Sequence, residues 1–251
     1  MDGSREYAVK EDRGLDPFAT MPKALRAIAM RESGADFDDN ASFARCGLAI
    51  LPYGRDEVKR MLDRVDVREE ILRKVGEYHF GDRLDRAASR KAVKSLFNAL
   101  DNDGCYAAWR RNYGVPPGTA PMRGCQFAIE ANGGRFHLQE YIQSLEGNTE
   151  WLSQRLPAMS DFVVAFFRDQ GERKHPERTL KSYVFQEAEA ISRMEKLRWA
   201  EVTGRTAVNL QHDGVLLQVR QYDDVRYVER QLTGLCTAAL GYAQPVSHKA
   251  W

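Results

Sequence analysis

The sequence predicts an α+β fold, helix-rich overall, in which a hairpin and a separate strand-like segment supply an antiparallel sheet. Apolar residues recur at three- and four-residue spacing through most of the chain, which is the period of amphipathic helices. Residues 206–219 instead form two short apolar runs around the polar step Gln211-His212-Asp213-Gly214, the pattern of a hairpin with its turn at the tip. A third apolar run, residues 35–51, opens with the acids Asp36, Asp38 and Asp39.

Composition narrows the function classes. With 251 residues, 43% hydrophobic and 29% charged, the chain can bury a real core, so disordered and fibrous classes are excluded. The 37 basic and 36 acidic residues leave a formal net charge of +1, so there is no global basic field and any nucleic-acid contact must be local. The four cysteines, Cys46, Cys105, Cys125 and Cys236, lie far apart, without zinc or disulfide spacing, and read as buried reduced thiols. The polar amino-terminal stretch is neither a signal peptide nor an anchor, and no apolar run approaches the roughly 20 residues that span a bilayer. The expected setting is cytoplasmic or nuclear, not secreted and not membrane.

Taken in order, residues 1–20 are a loose lead-in, and Pro22 opens a short helix with Leu25, Ile28 and Ala29 on one face, ended by Gly34. Residues 35–51 read as a strand followed by a short helix, with acids beside the strand end. Residues 55–76 form one amphipathic helix or two, carrying Val58, Met61, Leu62, Val65, Ile71, Leu72 and Val75. A further helix over 83–100 turns Val93, Leu96, Phe97 and Leu100 inward and Arg83, Arg86, Arg90, Lys91 and Lys94 outward.

The Gly- and Pro-rich stretch 112–135 is a connection with one short strand at 126–131, and 139–170 is mainly helical. After a break at Pro176, a long helix runs over 179–199 with Thr179 as its N-cap and Leu180, Val184, Ala188, Ile191 and Leu197 on its apolar face. The hairpin follows, then a helix over 223–240 and a Gly/Pro-containing tail.

Asp213 in a hairpin turn is unremarkable alone, because Asp-Gly is a common turn pair. A second acidic cluster on another strand changes the reading. Acids on adjacent buried strands repel, and near neutral pH a cation or a shared proton must offset the repulsion. Hard carboxylate oxygens favour Mg2+ or Mn2+, and a pair of such ions can drive nucleotidyl transfer. Independently, Arg90 and Lys94 stand four residues apart on one helix face and can present two cations to one polyphosphate.

These segments, in this order, resemble the motifs of family A DNA polymerases over most of the chain, from about residue 25 to residue 217. The run Leu210-Gln-His212-Asp213-Gly214-Val-Leu-Leu217 is similar to the third palm motif and Asp38-Asp-Asn-Ala-Ser-Phe43-Ala-Arg45 to the first, with an arginine seven positions after the aspartate. The resemblance implies that Asp38 and Asp213 are the catalytic metal ligands, with Asp36, on the same strand face as Asp38, assisting or replacing it. Residues 90–97 are similar to the fingers helix, which implies that Arg90 and Lys94 grip a deoxynucleoside triphosphate, with Phe97 near the templating base. Arg178, Ser182 and Gln186 resemble the helix that contacts the primer-template minor groove, joined by His212.

The likeness is greatest to the divergent family A-like polymerases of mobile elements and large viruses, whose fingers motif runs into an Asn-x-Gly step and a Trp, here Asn102-Asp103-Gly104 and Trp109. Three positions depart from the family pattern. Gly214 replaces an acid, Phe43 stands where a glutamate lies near the incoming sugar and would block a 2′-hydroxyl sterically, and Asn102 replaces a stacking tyrosine. The expected organisation is a single polymerase-like unit over 1–251, with palm in 20–80 and 171–251, fingers and connecting helices in 81–170, and thumb and exonuclease absent. Processive synthesis would then require a separate thumb or processivity partner. The competing reading is a catalytically degenerate palm that acts as a nucleic-acid-binding or assembly module.

Overall fold

The computed structural model describes residues 34–50, 56–101, 106–122, 176–210, 214–219 and 224–249. The expected helix after Pro22, the strand at 126–131, the helical stretch 139–170 and residues 102–105 lie outside these. So do His212 and Asp213. The fold is α+β, with a mainly helical composition and one antiparallel sheet, as the periodicities predict. The chain divides into two compact units, Met1–Ser42 with Glu150–Ala165 and Tyr183–Trp251, and Phe43–Thr149 with Phe166–Ser182.

The first unit carries the sheet. Its strands are β1 (Gly34–Asp39), β2 (Ala207–Leu210), β3 (Gly214–Gln218) and β4 (Val246–Lys249), in the order β2-β3-β1-β4. β1 therefore lies between β3 and β4, antiparallel to both. β2 and β3 form the expected hairpin, with an irregularity in register between Ala207 and Asn209. β4 is a strand in what the sequence presented only as a tail.

Alternation along β1 sends Ala35 and Phe37 into a core shared with Val215, Leu217 and Val246 of the sheet. That core is closed by Trp199 and Ala200 of one helix, α6 (Pro176–Val202), and by Val228, Leu232 and Cys236 of another, α7 (Val225–Leu240). α7 starts two residues later than the sequence suggests, because Asp224 caps it, its side chain accepting a hydrogen bond from the Arg226 N–H at 2.9 Å. It ends at Gly241, whose φ of 70° is a left-handed stop that glycine adopts without strain.

α6 begins at Pro176, so Thr179 lies inside the helix and is not its N-cap. Proline lacks the N–H that a first turn leaves unbonded, and its fixed φ suits that position. The buried stripe also differs from the expected one. It runs through Val184, Ala188, Ser192, Lys196 and Ala200, while Ile191 and Leu197 are only half-buried.

The second unit is built from helices. α1 (Ser42–Ile50) enters it from β1, and α2 (Asp56–Asp63) is joined to α1 by Arg45, whose guanidinium donates to the Leu62 carbonyl at 2.6 Å. α3 (Val65–Phe80) and α4 (Arg86–Asp101) then pack together, separated by a 3-10 turn over Gly81–Arg83. Their crossing is close at Gly76, where a Cβ would lie 2.1 Å from Ser89 Oγ. α5 (Tyr106–Asn112) is locked onto α4 by the Trp109 indole N–H, which donates to the Ala92 carbonyl at 2.8 Å.

His79 bridges the same region, with Nδ1 2.8 Å from the Val75 carbonyl and Nε2 2.7 Å from the Tyr106 hydroxyl. Burial holds its pKa below the ordinary value. The two cysteines among the described residues, Cys46 and Cys236, are buried free thiols, as expected, and burial pushes Cys236 up to about 11. Among the described residues, no helix is long and apolar enough to cross a membrane.

Candidate functional site

β1 is amphipathic across its pleat. While Ala35 and Phe37 face the core, Asp36 and Asp38 share the other face, and both are buried, at 6% and 8% exposed. Cα register sets Asp38 opposite Gly214 of β3 and Ser247 of β4, and Asp36 opposite Leu216 and Lys249. The sequence neighbour of Gly214 is Asp213, which lies outside the described residues.

Gly214 has a steric reason to be glycine. A Cβ there would stand 2.8 Å from Asp38 Oδ1, 3.2 Å from the Phe37 carbonyl and 3.6 Å from Asp36 Oδ1. Both carboxylates thus approach the bare Cα of Gly214. Any side chain at this position, an acid included, would compete with Asp38 for space.

The charge on this face has a partner that the sequence did not announce. Asp38 Oδ2 is paired with the ammonium of Lys249, whose side chain is 50% exposed. The other oxygen, Asp38 Oδ1, is buried and accepts no hydrogen bond in the structure. A lone buried carboxylate oxygen is costly to leave unsatisfied.

Asp39, the third acid of the cluster, is turned to the helix side. Its Oδ1 takes the Lys196 ammonium at 2.7 Å and the Ser192 hydroxyl at 3.0 Å, and the side chains of Asp39 and Lys196 are both fully buried. Burial pushes the Asp39 carboxyl up, Lys196 and Ser192 pull it down, and the neighbouring Asp38 charge adds to the rise. Geometry therefore separates the acids of β1 into a pair on one face and a single, internally neutralised group on the other. Lys196 could have been found from sequence, since it continues the four-residue series Val184, Ala188, Ser192 into the core. Lys249 could not, because nothing in the tail signals a strand.

In the helical unit, Arg90 and Lys94 stand one turn apart on α4, as expected. Arg90 is held by Glu69 of α3 in a bidentate pair, Nε to Oε2 and Nη2 to Oε1 both at 2.6 Å. The pair lowers the Glu69 carboxyl, first through the Arg90 hydrogen bonds, and Lys94 contributes to the same lowering. Glu69 therefore sits in the field of both cations.

Phe97 is buried in the helical core at 7% exposed, on the same side as Val93 and Leu96. Phe43 is half-buried in the first turn of α1. Ser182 and Gln186 are half-buried on α6 at four-residue spacing, which sets them on one stripe, and the Arg178 side chain lies outside those described. Trp109 is a core residue, 3% exposed.

Among the described residues, no group of three or more His, Cys, Asp or Glu side chains is gathered to hold a metal ion. No family model and no curated protein matches the chain. Among solved structures the chain is similar to the POL domain of Pol1 from M. smegmatis in complex with DNA primer-template and dNTP. The identity is 13% and the TM-score 0.45, and the match covers 86% of this chain and 39% of that one.

Proposed function

We propose that this chain is the palm-and-fingers part of a template-directed DNA polymerase, with palm in 20–80 and 171–251 and fingers in 81–170. The observation that carries the reading is the register of β1 on β3. Two buried carboxylates, Asp36 and Asp38, share one face beside Gly214, and the residue bonded to Gly214 is Asp213. In this reading Asp38 and Asp213, with Asp36, hold Mg2+ or Mn2+. The donor set fits hard cations, and Asp38 Oδ1 is a buried oxygen still lacking a hydrogen bond. The bound ions would activate a primer 3′-hydroxyl and neutralise the leaving pyrophosphate.

The remaining roles belong to the chain itself. Arg90 and Lys94 bind the triphosphate of an incoming deoxynucleotide, with Phe97 supporting the helix behind them and Phe43 excluding a 2′-hydroxyl. Arg178, Ser182, Gln186 and His212 run along the primer-template.

The second reading, a degenerate palm that binds nucleic acid without turnover, draws on two internal charge pairs: Lys249 on Asp38 and Glu69 on Arg90. Primer extension on a short labelled primer-template with Mg2+ or Mn2+ separates the two. The polymerase reading expects extension by the wild type and its loss, by about a thousandfold or more, in Asp38→Asn and Asp213→Asn. Primer-template binding with no extension by the wild type supports the degenerate palm instead.

A further inference from the structure

The backbone of β4 is pinned from several sides. Val246 sits in the sheet core, and its N–H donates to Thr233 Oγ1 at 2.9 Å. The His248 N–H donates to Glu229 Oε1 at 2.6 Å, and Ser247 Oγ meets Asn40 Oδ1 at 2.8 Å. The Asn40 N–H in turn donates to the Pro245 carbonyl at 2.9 Å. Beyond this pinned backbone, Lys249 carries a four-carbon side chain that is half exposed.

That arm crosses diagonally. Lys249 is in register with Asp36, yet its ammonium is paired with Asp38, two residues along β1 and on the same face. Asp38 is buried and short, fixed by a strand that is bonded on both edges. The geometry therefore joins a buried carboxylate on a strand held at both edges to an ammonium on a long, half-exposed side chain.

We propose that Lys249 is a built-in counter-ion for Asp38, displaced into solvent when a divalent cation binds, so that β4 sets the metal concentration at which the site fills. The proposal rests on the metal-binding reading of Asp38 given above. The physical need is plain. Two carboxylates buried on one face repel, and a nearby positive charge offsets that until a metal ion arrives. An ammonium is suited to leaving, because it is a compact, strongly hydrated charge that regains its water at little cost. A divalent ion brings more charge to the same oxygens but must first overcome this occupant.

The test is a Mn2+ titration of the full chain followed by electron paramagnetic resonance. Wild type is compared with Lys249→Met, Lys249→Arg and Asp38→Asn. Lys249→Met is expected to bind Mn2+ about tenfold more tightly, Lys249→Arg to stay near wild type, and Asp38→Asn to lose the site. If Lys249→Met binds no more tightly than wild type while Asp38→Asn still loses the ion, the counter-ion role is wrong and the metal site stands. If Asp38→Asn binds as wild type does, or neither wild type nor Lys249→Met takes up Mn2+, the metal reading falls and this inference with it. Should Lys249→Met fail to fold, the lysine ammonium signals of the wild type decide the question during a Mg2+ titration. One signal moving to the solvent position as the ion binds supports displacement, and an unmoved signal overturns it.

Discussion

At the scale of single residues, the most constrained position is Gly214. The sequence marks it as half of an Asp-Gly pair and as a glycine in place of an acid, and the structure gives it a packing reason, since its missing Cβ is the space in which Asp38 Oδ1 lies. The backbone carbonyl of Phe37, 3.2 Å from the same point, limits any escape by shifting the strands. Gly214→Ala is therefore expected to destabilise the fold by about 1–3 kcal/mol, measured by urea unfolding. By dislodging Asp38 it should also weaken Mn2+ binding about tenfold. An alanine variant that melts and binds like wild type would show that Asp38 has another place to go.

At the scale of elements, β1 and α6 are coupled by a buried ion pair. Lys196 and Asp39 are both fully buried, and removing one partner strands the other's charge in the core. Lys196→Met should cost about 3–5 kcal/mol in urea unfolding, and adding Asp39→Asn should restore much of that loss. A single variant as stable as wild type would mean that Asp39 is held neutral without its lysine.

The same elements show what was legible in the sequence. The helices over 56–101, the strand-then-helix of 34–50 and both hairpin strands follow from spacing and turn chemistry, because each buries one regular apolar face. The acidic pair on β1 was legible for the same reason, as alternation alone puts Asp36 and Asp38 together. β4 was not. Val-Ser-His-Lys is short and mostly polar, and it is a strand only because β1 offers it a free edge. Lys196 was missed because a lysine in a charged helix ordinarily faces water, although its place in the four-residue series after Val184, Ala188 and Ser192 points it into the core, where it meets Asp39. The engagement of Arg90 by Glu69 was likewise out of reach, because helix periodicity says nothing of which faces of two neighbouring helices meet.

At the scale of the whole molecule, the two units differ in how far along the chain their contacts reach. The helical unit pairs neighbours, α2 with α3, α3 with α4 and α4 with α5. The sheet instead joins residues 34–38 to 214–218 and 36–39 to 246–249. Closing so long a stretch, roughly 180 residues, carries an entropic cost that local pairs avoid, and non-local strand pairing is correspondingly slow. Pulsed hydrogen exchange during refolding should find the amides of α3 and α4 protected before those of β1 and β3. Simultaneous protection would mean that the units fold as one.

The central position of β1 thus has a consequence in time. Until its two neighbours arrive from far along the chain, Asp36, Asp38 and Asp39 remain in water, where their charges cost nothing. The unfavourable step of burying three acids is deferred to the moment when Lys196 and Lys249 come with the elements that bury them.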